Sequence, residues 1–313
     1  MFFVTIFTGL ALSLYSSEGK TDLIALDSSN AQSEQSAPSK APAARMRTAS
    51  KNTTGPAAKV PVARAPITDT NAPCLNTDGK IDPSSYVQFG ANYTWTWIKP
   101  KGLHSTWGNT GGQQVSYEYK SPNRPYGGVT FAWRSGNTDN NDDNMERSLC
   151  YIDVQERIGY TLSQCQKWTC SLFTGFGYRH YGEDVTSGPD LVTFEYNEFY
   201  VPIGILLEAK KMNGRTSVGL NAIWMPQAYP TVKIVPLQGA RWILTNEWAN
   251  FRVEFPITWH FSQKYHGYLS VVPLFEYWTD GETTAKTELG TSLNIPSNTY
   301  MFAGVNLNFG YCF

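Results

Sequence analysis

The chain has 313 residues, with 25 Lys and Arg against 26 Asp and Glu, and a formal net charge of −1 at pH 7. Without a basic excess it offers no bulk electrostatic attraction for nucleic acid, so nucleic acid is excluded as a partner. The mean hydropathy is −0.34, and no run reaches about 18 apolar residues, which excludes a polytopic helical membrane protein.

The first 17 residues form an apolar stretch of signal-peptide length that is followed by small residues. No Lys or Arg precedes Lys20, so the usual basic region is missing, and a mis-assigned start codon would explain the gap. A buried hydrophobic helix is the alternative, but the polar segment that follows argues against it. We expect residues 1–17 to be a signal peptide that directs export.

Residues 18–82 are rich in Ala, Pro, Ser, Thr and basic side chains and contain no aromatic residue. Such a composition cannot bury enough apolar surface to offset the entropy lost on ordering. We predict a disordered periplasmic linker, in which the mild basic excess keeps the chain solvated. Residues 83–313 hold nearly all of the aromatic residues and are expected to form the folded domain.

From Tyr86 onward the chain divides into segments in which apolar and polar residues alternate, the period of a β-strand with two different faces. In the fourth segment Glu156 falls on the apolar face, an exception to the pattern. The ten segments are Tyr86–Ile98, Gln113–Lys120, Gly127–Arg134, Leu149–Leu162, Cys170–Tyr181, Leu191–Lys210, Arg215–Met225, Trp248–Phe261, Gly267–Trp278 and Tyr300–Phe313.

The connections between these segments alternate in length. The long ones are 99–112, 135–148, 182–190, 226–247 and 279–299, and the short ones are 121–126, 163–169, 211–214 and 262–266. A soluble β-sandwich gives no reason for this alternation, whereas a transmembrane barrel has long outer loops and short periplasmic turns. We predict an all-β fold, a closed antiparallel transmembrane β-barrel of about ten strands. Eight or twelve strands are alternatives, with twelve arising if Lys233–Leu244 adds a hairpin.

Three prolines lie inside predicted strands, at Pro202, Pro256 and Pro273. Each removes a backbone hydrogen-bond donor, which normally confines a strand to the edge of a sheet. A closed barrel has no edge, so we expect these prolines to mark bulges or the ends of strand pairing.

The last thirteen residues show the alternation most clearly, with apolar odd positions that become more aromatic toward the end. This segment resembles the final strand of bacterial outer-membrane β-barrels, which ends in Phe or Trp and is recognised by the assembly machinery. The resemblance implies an outer-membrane location, contact with lipid and lipopolysaccharide, and the barrel-assembly machinery as a partner. As strand ten, it must pair with strand nine and close against strand one. The implied assembly signal is Val305, Leu307, Phe309, Tyr311 and Phe313.

The parity of each predicted strand gives a set of inward-facing charged residues. A ten-strand barrel is narrow, so these charges are expected to form ion pairs that plug the lumen, because an unpaired buried charge is costly. A narrow, cation-leaning channel along the acidic residues is the alternative. The set is Glu118, Arg134, Asp153, Arg157, Arg179, Glu198, Glu208, Arg252, Glu254 and Glu276.

An enzyme is a less favoured interpretation, since omptin-like or lipid-modifying hydrolysis needs clustered Asp and His or a Ser-His-acid set at the outer rim. His260 and His266 fall at the periplasmic end and His180 on the lipid side. We expect no catalytic residues, and if activity exists, His104 with Asp142 or Asp143 is the first place to test. The acidic loop 136–144 lacks the spacing of a calcium loop, so we predict no metal and no cofactor.

Two further features concern the loops and cysteines. Arg241, Trp242 and Trp248 lie in the fourth long connection and could form a protein-binding loop or fold over the barrel mouth. Five cysteines are consistent with an oxidising compartment. The predicted disulfide is Cys165 to Cys170, with Cys74 to Cys312 or intermolecular bridges second.

These observations predict a surface-exposed structural or adhesin-like outer-membrane barrel with a largely plugged lumen, its extension in the periplasm, and a host or surface protein as a candidate ligand. The alternatives are a narrow porin-like channel and, less favoured, an outer-membrane hydrolase.

Overall fold

The computed structural model describes residues 84–313, except 141–144, 165–166, 188–189, 211–214, 236–240, 262–265 and 284–293. The predicted signal peptide and linker therefore lie outside the described residues. Fourteen strands form one antiparallel sheet. They are β1 (Ser85–Pro100), β2 (Thr106–Lys120), β3 (Arg124–Asn140), β4 (Met145–Gln164), β5 (Trp168–Ser187), β6 (Asp190–Tyr200), β7 (Ile203–Lys210), β8 (Thr216–Trp224), β9 (Gln227–Ile234), β10 (Arg241–Ile243), β11 (Phe251–Glu254), β12 (Ile257–His260), β13 (Gly267–Asp280) and β14 (Asn298–Cys312).

The sheet closes on itself because β1 pairs with β2 on one side and with β14 on the other. β14 also pairs with β13, so the predicted neighbours of the terminal strand are confirmed. Following cross-strand pairs once around the barrel from Trp97 returns to the same strand at Ser85, twelve residues away. This offset means that the strands are tilted relative to the barrel axis.

The fourteen strands make a ten-strand barrel, because four of the breaks between them only interrupt a longer strand of the wall. β6 continues into β7, β8 into β9, and β10 through β11 into β12. Pro202, Pro226 and Pro256 lie at three of these breaks, as expected for a residue that cannot donate to the ladder. The prediction for Pro202 and Pro256 is confirmed.

Pro273 lies inside β13, which continues through it. Its carbonyl oxygen accepts a hydrogen bond from the Phe255 backbone N–H at 2.9 Å. The N–H and C=O groups of a strand residue point to the same neighbour, so the N–H that Pro273 lacks would face the gap between β11 and β12. Pro273 and the break between β11 and β12 therefore lie side by side, and the wall remains hydrogen-bonded around them.

Four of the five predicted long outer loops are largely strand instead, and the fifth, 279–299, includes residues 284–293, which lie outside the described residues. β3 extends to Asn140 and β4 begins at Met145, while β9 and β10 occupy much of the connection predicted for 226–247. Since a transmembrane strand needs about 9–11 residues, strands of this length continue beyond a bilayer. The β9–β10 hairpin extends two existing wall strands, so it does not raise the count to twelve. Within the part of the chain that is described, no helix has the length and apolar character needed to cross a membrane.

The two faces of the wall are inverted relative to a soluble protein. Acidic, basic and amide side chains are buried inside, while large apolar side chains are exposed outside in a band around the middle of the strands. Glu156 faces outward within this band, as its parity predicts. Exposed members of the band include Val87, Phe89, Val115, Phe131, Ile158, Leu172, Phe176, Ile203, Leu207, Val218, Phe275, Val305, Leu307 and Phe309.

Candidate functional site

The lumen is the candidate site, and its inner half, toward the chain termini, contains a polar cavity of about 150 Å³. Amide side chains line one wall: the Gln114 amide donates to Asn308 Oδ1 at 2.7 Å, and the Asn306 amide donates to Gln114 Oε1 at 3.2 Å. Lys120 reaches across to Glu208 at 2.5 Å. The cavity is therefore walled by polar groups that largely bind one another.

Seven of the predicted inward charges line this cavity. Arg134, Arg252 and Glu276 meet one another at its outer end, and the other four are not brought into one cluster. Glu118 accepts from the Tyr126 hydroxyl at 3.0 Å and lies 3.8 Å from Arg157. Glu254 accepts from the Asn221 amide at 2.9 Å. The four residues are Glu118, Arg157, Glu208 and Glu254.

Five other predicted residues meet at mid-lumen and form what we call the central cluster: Arg134, Asp153, Arg179, Arg252 and Glu276. Glu276 is fully buried and receives Arg179 at 2.6 Å, Arg252 Nε at 2.9 Å and Arg134 at 3.3 Å. Arg252 also reaches Asp153 at 2.8 Å. Because these residues come from β3, β4, β5, β11 and β13, the cluster connects opposite walls and crosses the lumen.

Aromatic side chains fix the geometry of the central cluster. The Arg179 guanidinium lies 3.5 Å from the ring centroid of Trp278, a cation–π contact. The Tyr200 hydroxyl donates to Asp153 at 2.5 Å, and Tyr151 donates to Glu276 at 3.3 Å. A Cβ added at Gly177 would come within 2.1 Å of the Tyr200 ring, so only glycine leaves room for that ring.

Above the central cluster, Glu198 and Asp280 line a cavity of only about 10 Å³ together with Trp278. Asp280 accepts from Trp278 Nε1 at 3.0 Å, and Glu198 accepts from the Gln227 amide at 3.1 Å. Asp280 lies beyond the apolar band, and burial raises the pKa of its carboxyl. Two adjacent buried carboxyl groups cannot readily both ionise, so a proton is held at this pair.

The outer end of the lumen is closed by an apolar cap formed by Ile98, Val232, Ile234, Trp242 and Leu244, all nearly fully buried. Below it, Tyr181 packs against Tyr300 and Tyr196 with ring centroids 5.0 and 5.7 Å apart. The cap, the tyrosines and the central cluster together fill the outer half of the barrel.

The predicted binding loop is dispersed by the fold. Trp242 is only 2% exposed because β10 turns it into the cap. Trp248 packs outside against Trp224, with ring centroids 6.2 Å apart, and its carbonyl oxygen accepts from Trp224 Nε1 at 2.5 Å. Arg241 is exposed at the outer rim, and Trp248 is exposed on the outer wall. The three residues do not form one surface.

Sequence parity missed several lumen residues that continue the same inward faces. Arg147 pairs with Glu183, and both lie in segments predicted to be loops although they share parity with Asp153 and Arg179. Lys120 and Asp280 likewise share parity with Glu118 and Glu276. Extending the strands that were predicted to end at Leu149, Tyr181 and Trp278 by two residues would have found Arg147, Glu183 and Asp280. Lys120 already lay in the second predicted strand and was missed although its parity is inward.

No disulfide joins the cysteines that the structure describes. Cys150, Cys170 and Cys312 carry free thiols, while Cys74 and Cys165 lie outside the described residues. Cys170 lies opposite Leu162 in the β4–β5 ladder. The Cys312 thiol lies 3.1 Å from the His266 carbonyl oxygen, to which it donates. The predicted bridges from Cys165 to Cys170 and from Cys74 to Cys312 each include a cysteine outside the described residues, so they stay predictions.

The histidines are scattered over the barrel. His180 faces outward, 3.1 Å from Asn197 Oδ1, and His104 is exposed in the β1–β2 turn. Asp142 and Asp143 lie outside the described residues. Among the described residues, no three His, Cys, Asp or Glu side chains are grouped to hold a metal ion.

No protein-family model matches the chain, and no curated protein sequence matches it. Solved structures with a similar fold include the outer membrane protease OmpT from Escherichia coli, at a TM-score of 0.53 and 8% identity over 74% of this chain and 97% of that one. The translocator domain of the autotransporter NalP from Neisseria meningitidis matches at a TM-score of 0.42 and 14% identity, over 75% of this chain and 90% of that one.

The attachment invasion locus protein Ail of Yersinia pestis matches at a TM-score of 0.30 and 9% identity, over 73% of this chain and 99% of that one. Sequence identities this low are evidence of a similar fold and not of a shared function. The closed wall, the apolar outer band and the likeness to OmpT agree: the chain has the fold of the bacterial outer-membrane β-barrels.

Proposed function

We propose that the protein is a surface-exposed structural or adhesin-like barrel of the outer membrane whose lumen does not conduct. The observation that carries the proposal is the central cluster, which joins opposite walls through a fully buried Glu276. Ion pairs between walls leave no water-filled path, in contrast to the open lumen of much wider porins. The barrel is assigned no hydrolytic activity.

Closure is tested with vesicles that contain the folded full-length chain. A small neutral sugar should enter them no faster than it enters vesicles without protein, while Arg179→Ala should admit it by shortening a side chain that crosses the lumen. Folding of both proteins is checked by heat-modifiable migration on SDS gels. Sugar entry through the wild-type barrel would overturn the proposal in favour of the channel.

The surface role is supported by the polar wall that continues above the apolar band on β3–β6. Its side chains are held by bonds along the wall, such as Thr193 to Asp184 at 2.5 Å and Asn137 to Glu146 at 3.1 Å. Lys233 binds Glu195 at 3.1 Å. A rigid polar surface needs little ordering when it binds a protein, which favours recognition.

Adhesion is tested with bacteria that display the full chain and with immobilised extracellular-matrix proteins as probes. Displaying cells should bind more than cells with an empty vector, and the combined variant Asp139→Asn, Glu146→Gln and Asp184→Asn should bind less. Binding equal to that of the empty vector would remove the adhesive part of the proposal. Lipopolysaccharide, phospholipid and the barrel-assembly machinery are the other proposed partners.

A further inference from the structure

One charged side chain is turned toward the lipid. Glu156 lies on the outer face of β4, directly opposite Val129 of β3 and Phe176 of β5. Apolar side chains continue the same face in both directions along the strand, with Ile152 and Val154 toward the outer end and Ile158, Tyr160 and Leu162 toward the inner end. Glu156 is therefore near the middle of the apolar band, far from either polar boundary.

Within the part of the chain that the structure describes, no group forms a hydrogen bond or an ion pair with the Glu156 carboxylate. The other outward charges of the described wall lie toward its outer end, for example Lys99, Glu146 and Asp184 above the band. A lone carboxylate in hydrocarbon is costly, so such a residue marks a functional contact.

The surroundings of Glu156 differ from the rest of the band. Thr174 exposes a hydroxyl diagonally across the β4–β5 ladder, opposite Ile158. Gly127 lies opposite Ile158 on the other side, and a Cβ added there would meet no atom within 4 Å. We name the surface formed by Gly127, Glu156, Ile158, Thr174 and Phe176 the Glu156 face. It combines a carboxyl, a hydroxyl and a recess.

We propose that the Glu156 face is the contact between two copies of this chain lying side by side in the membrane. Membrane insertion gives both copies the same orientation, so a two-fold axis runs along the membrane normal and brings together residues of equal depth. Glu156 of one copy then meets Glu156 or Thr174 of the other. The Thr174 hydroxyl of one copy can donate a hydrogen bond to the Glu156 carboxyl group of the other.

Charge and depth favour a second copy over other occupants. Acyl chains carry no hydrogen-bond donor, and lipid headgroups lie at the boundaries of the band, away from Glu156. A different membrane protein would need a polar group at this same depth, whereas a second copy supplies one through symmetry. Because Glu156 faces away from the lumen, the contact is independent of whether the lumen is closed.

The test measures energy transfer between donor-labelled and acceptor-labelled full-length protein folded in vesicles, at increasing lipid-to-protein ratios. The wild type should keep transferring energy after tenfold dilution with lipid. Glu156→Leu should shift the association midpoint by at least tenfold toward higher protein density, and Thr174→Val by a smaller factor. The matched control Leu307→Gln, on the β14 wall, changes the polarity of the band without touching the Glu156 face and should behave as the wild type does.

Several outcomes would overturn the proposal. These are transfer that never exceeds random proximity in the wild type, association unchanged in Glu156→Leu, or equal loss in Leu307→Gln. Purification with a different membrane protein instead of a second copy would assign the face to that partner and also overturn it. Heat-modifiable migration establishes folding, and if Glu156→Leu does not fold, Thr174→Val and the wild-type dilution series decide.

Discussion

The two halves of the lumen are built from the same residue types, but the inner half holds a cavity whereas the outer half is filled. In the inner half, Glu254 binds a neutral amide and lines a polar cavity of about 150 Å³. At the outer end of this cavity, where the filled outer half begins, Glu276 is fully buried among three arginines. Both are inward glutamates on neighbouring strands, so their parity is identical. The difference teaches that closure depends on which charges converge across the lumen, and not on how many charges the lumen contains.

The largest effect is expected when the two glutamates are exchanged for glutamine. Glu276→Gln leaves buried arginines without a counter-ion and should lower the free energy of unfolding by about 3–5 kcal/mol. Glu254→Gln keeps a hydrogen-bonding amide beside the cavity and should cost less than about 1 kcal/mol. Urea unfolding from vesicles measures both values. Equal losses would break the distinction between the halves.

Truncation of the cap should have the next largest effect. Trp242 is 2% exposed and packs in the outer cluster, so Trp242→Ala should cost about 3 kcal/mol through lost contacts and the resulting cavity. Trp248→Ala is the matched control, since Trp248 is 62% exposed on the outer wall. If Trp248→Ala destabilised the barrel as much as Trp242→Ala, the assignment of Trp242 to the cap would be wrong.

The acidic pair of the outer half should make stability depend on pH. Burial raises the pKa of Asp280 in the folded barrel, so the folded state keeps a proton that the unfolded chain releases above about pH 4. This contribution is fully present below that pH and is lost as the pH rises through the raised pKa. Asp280→Asn should therefore lose less stability than the wild type between about pH 4 and pH 7. Parallel unfolding curves for the two proteins would contradict this assignment.

The smallest effect is expected in the wall of the inner cavity. Gln114→Ala removes the hydrogen bonds to Asn306 and Asn308, but water in the cavity can replace the missing amide. The free energy of unfolding should therefore fall by about 1 kcal/mol or less. A loss as large as that of Glu276→Gln would mean that the inner half depends on its polar network for stability as much as the central cluster does.

The sequence predicted the barrel because a period of two and an aromatic terminal strand are local signals. Residue parity also placed Arg134, Asp153 and Glu276 inside, but it could not bring them together, since convergence depends on the tilt that the twelve-residue offset records. Trp242 was left with two interpretations because only the β9–β10 pairing decides which way it faces. The extent of the strands was underestimated where polar outer faces, as at Asn137 and Glu146, read as loops.

Single-channel recording from the full-length chain in planar bilayers tests the closed lumen most directly. Wild-type protein that has passed the heat-modifiability check should give no discrete current steps, and Glu276→Gln should give steps because its arginines are no longer held together. Steps from the wild type that shrink in Glu254→Gln would contradict the account and would establish an ion path along the acidic residues.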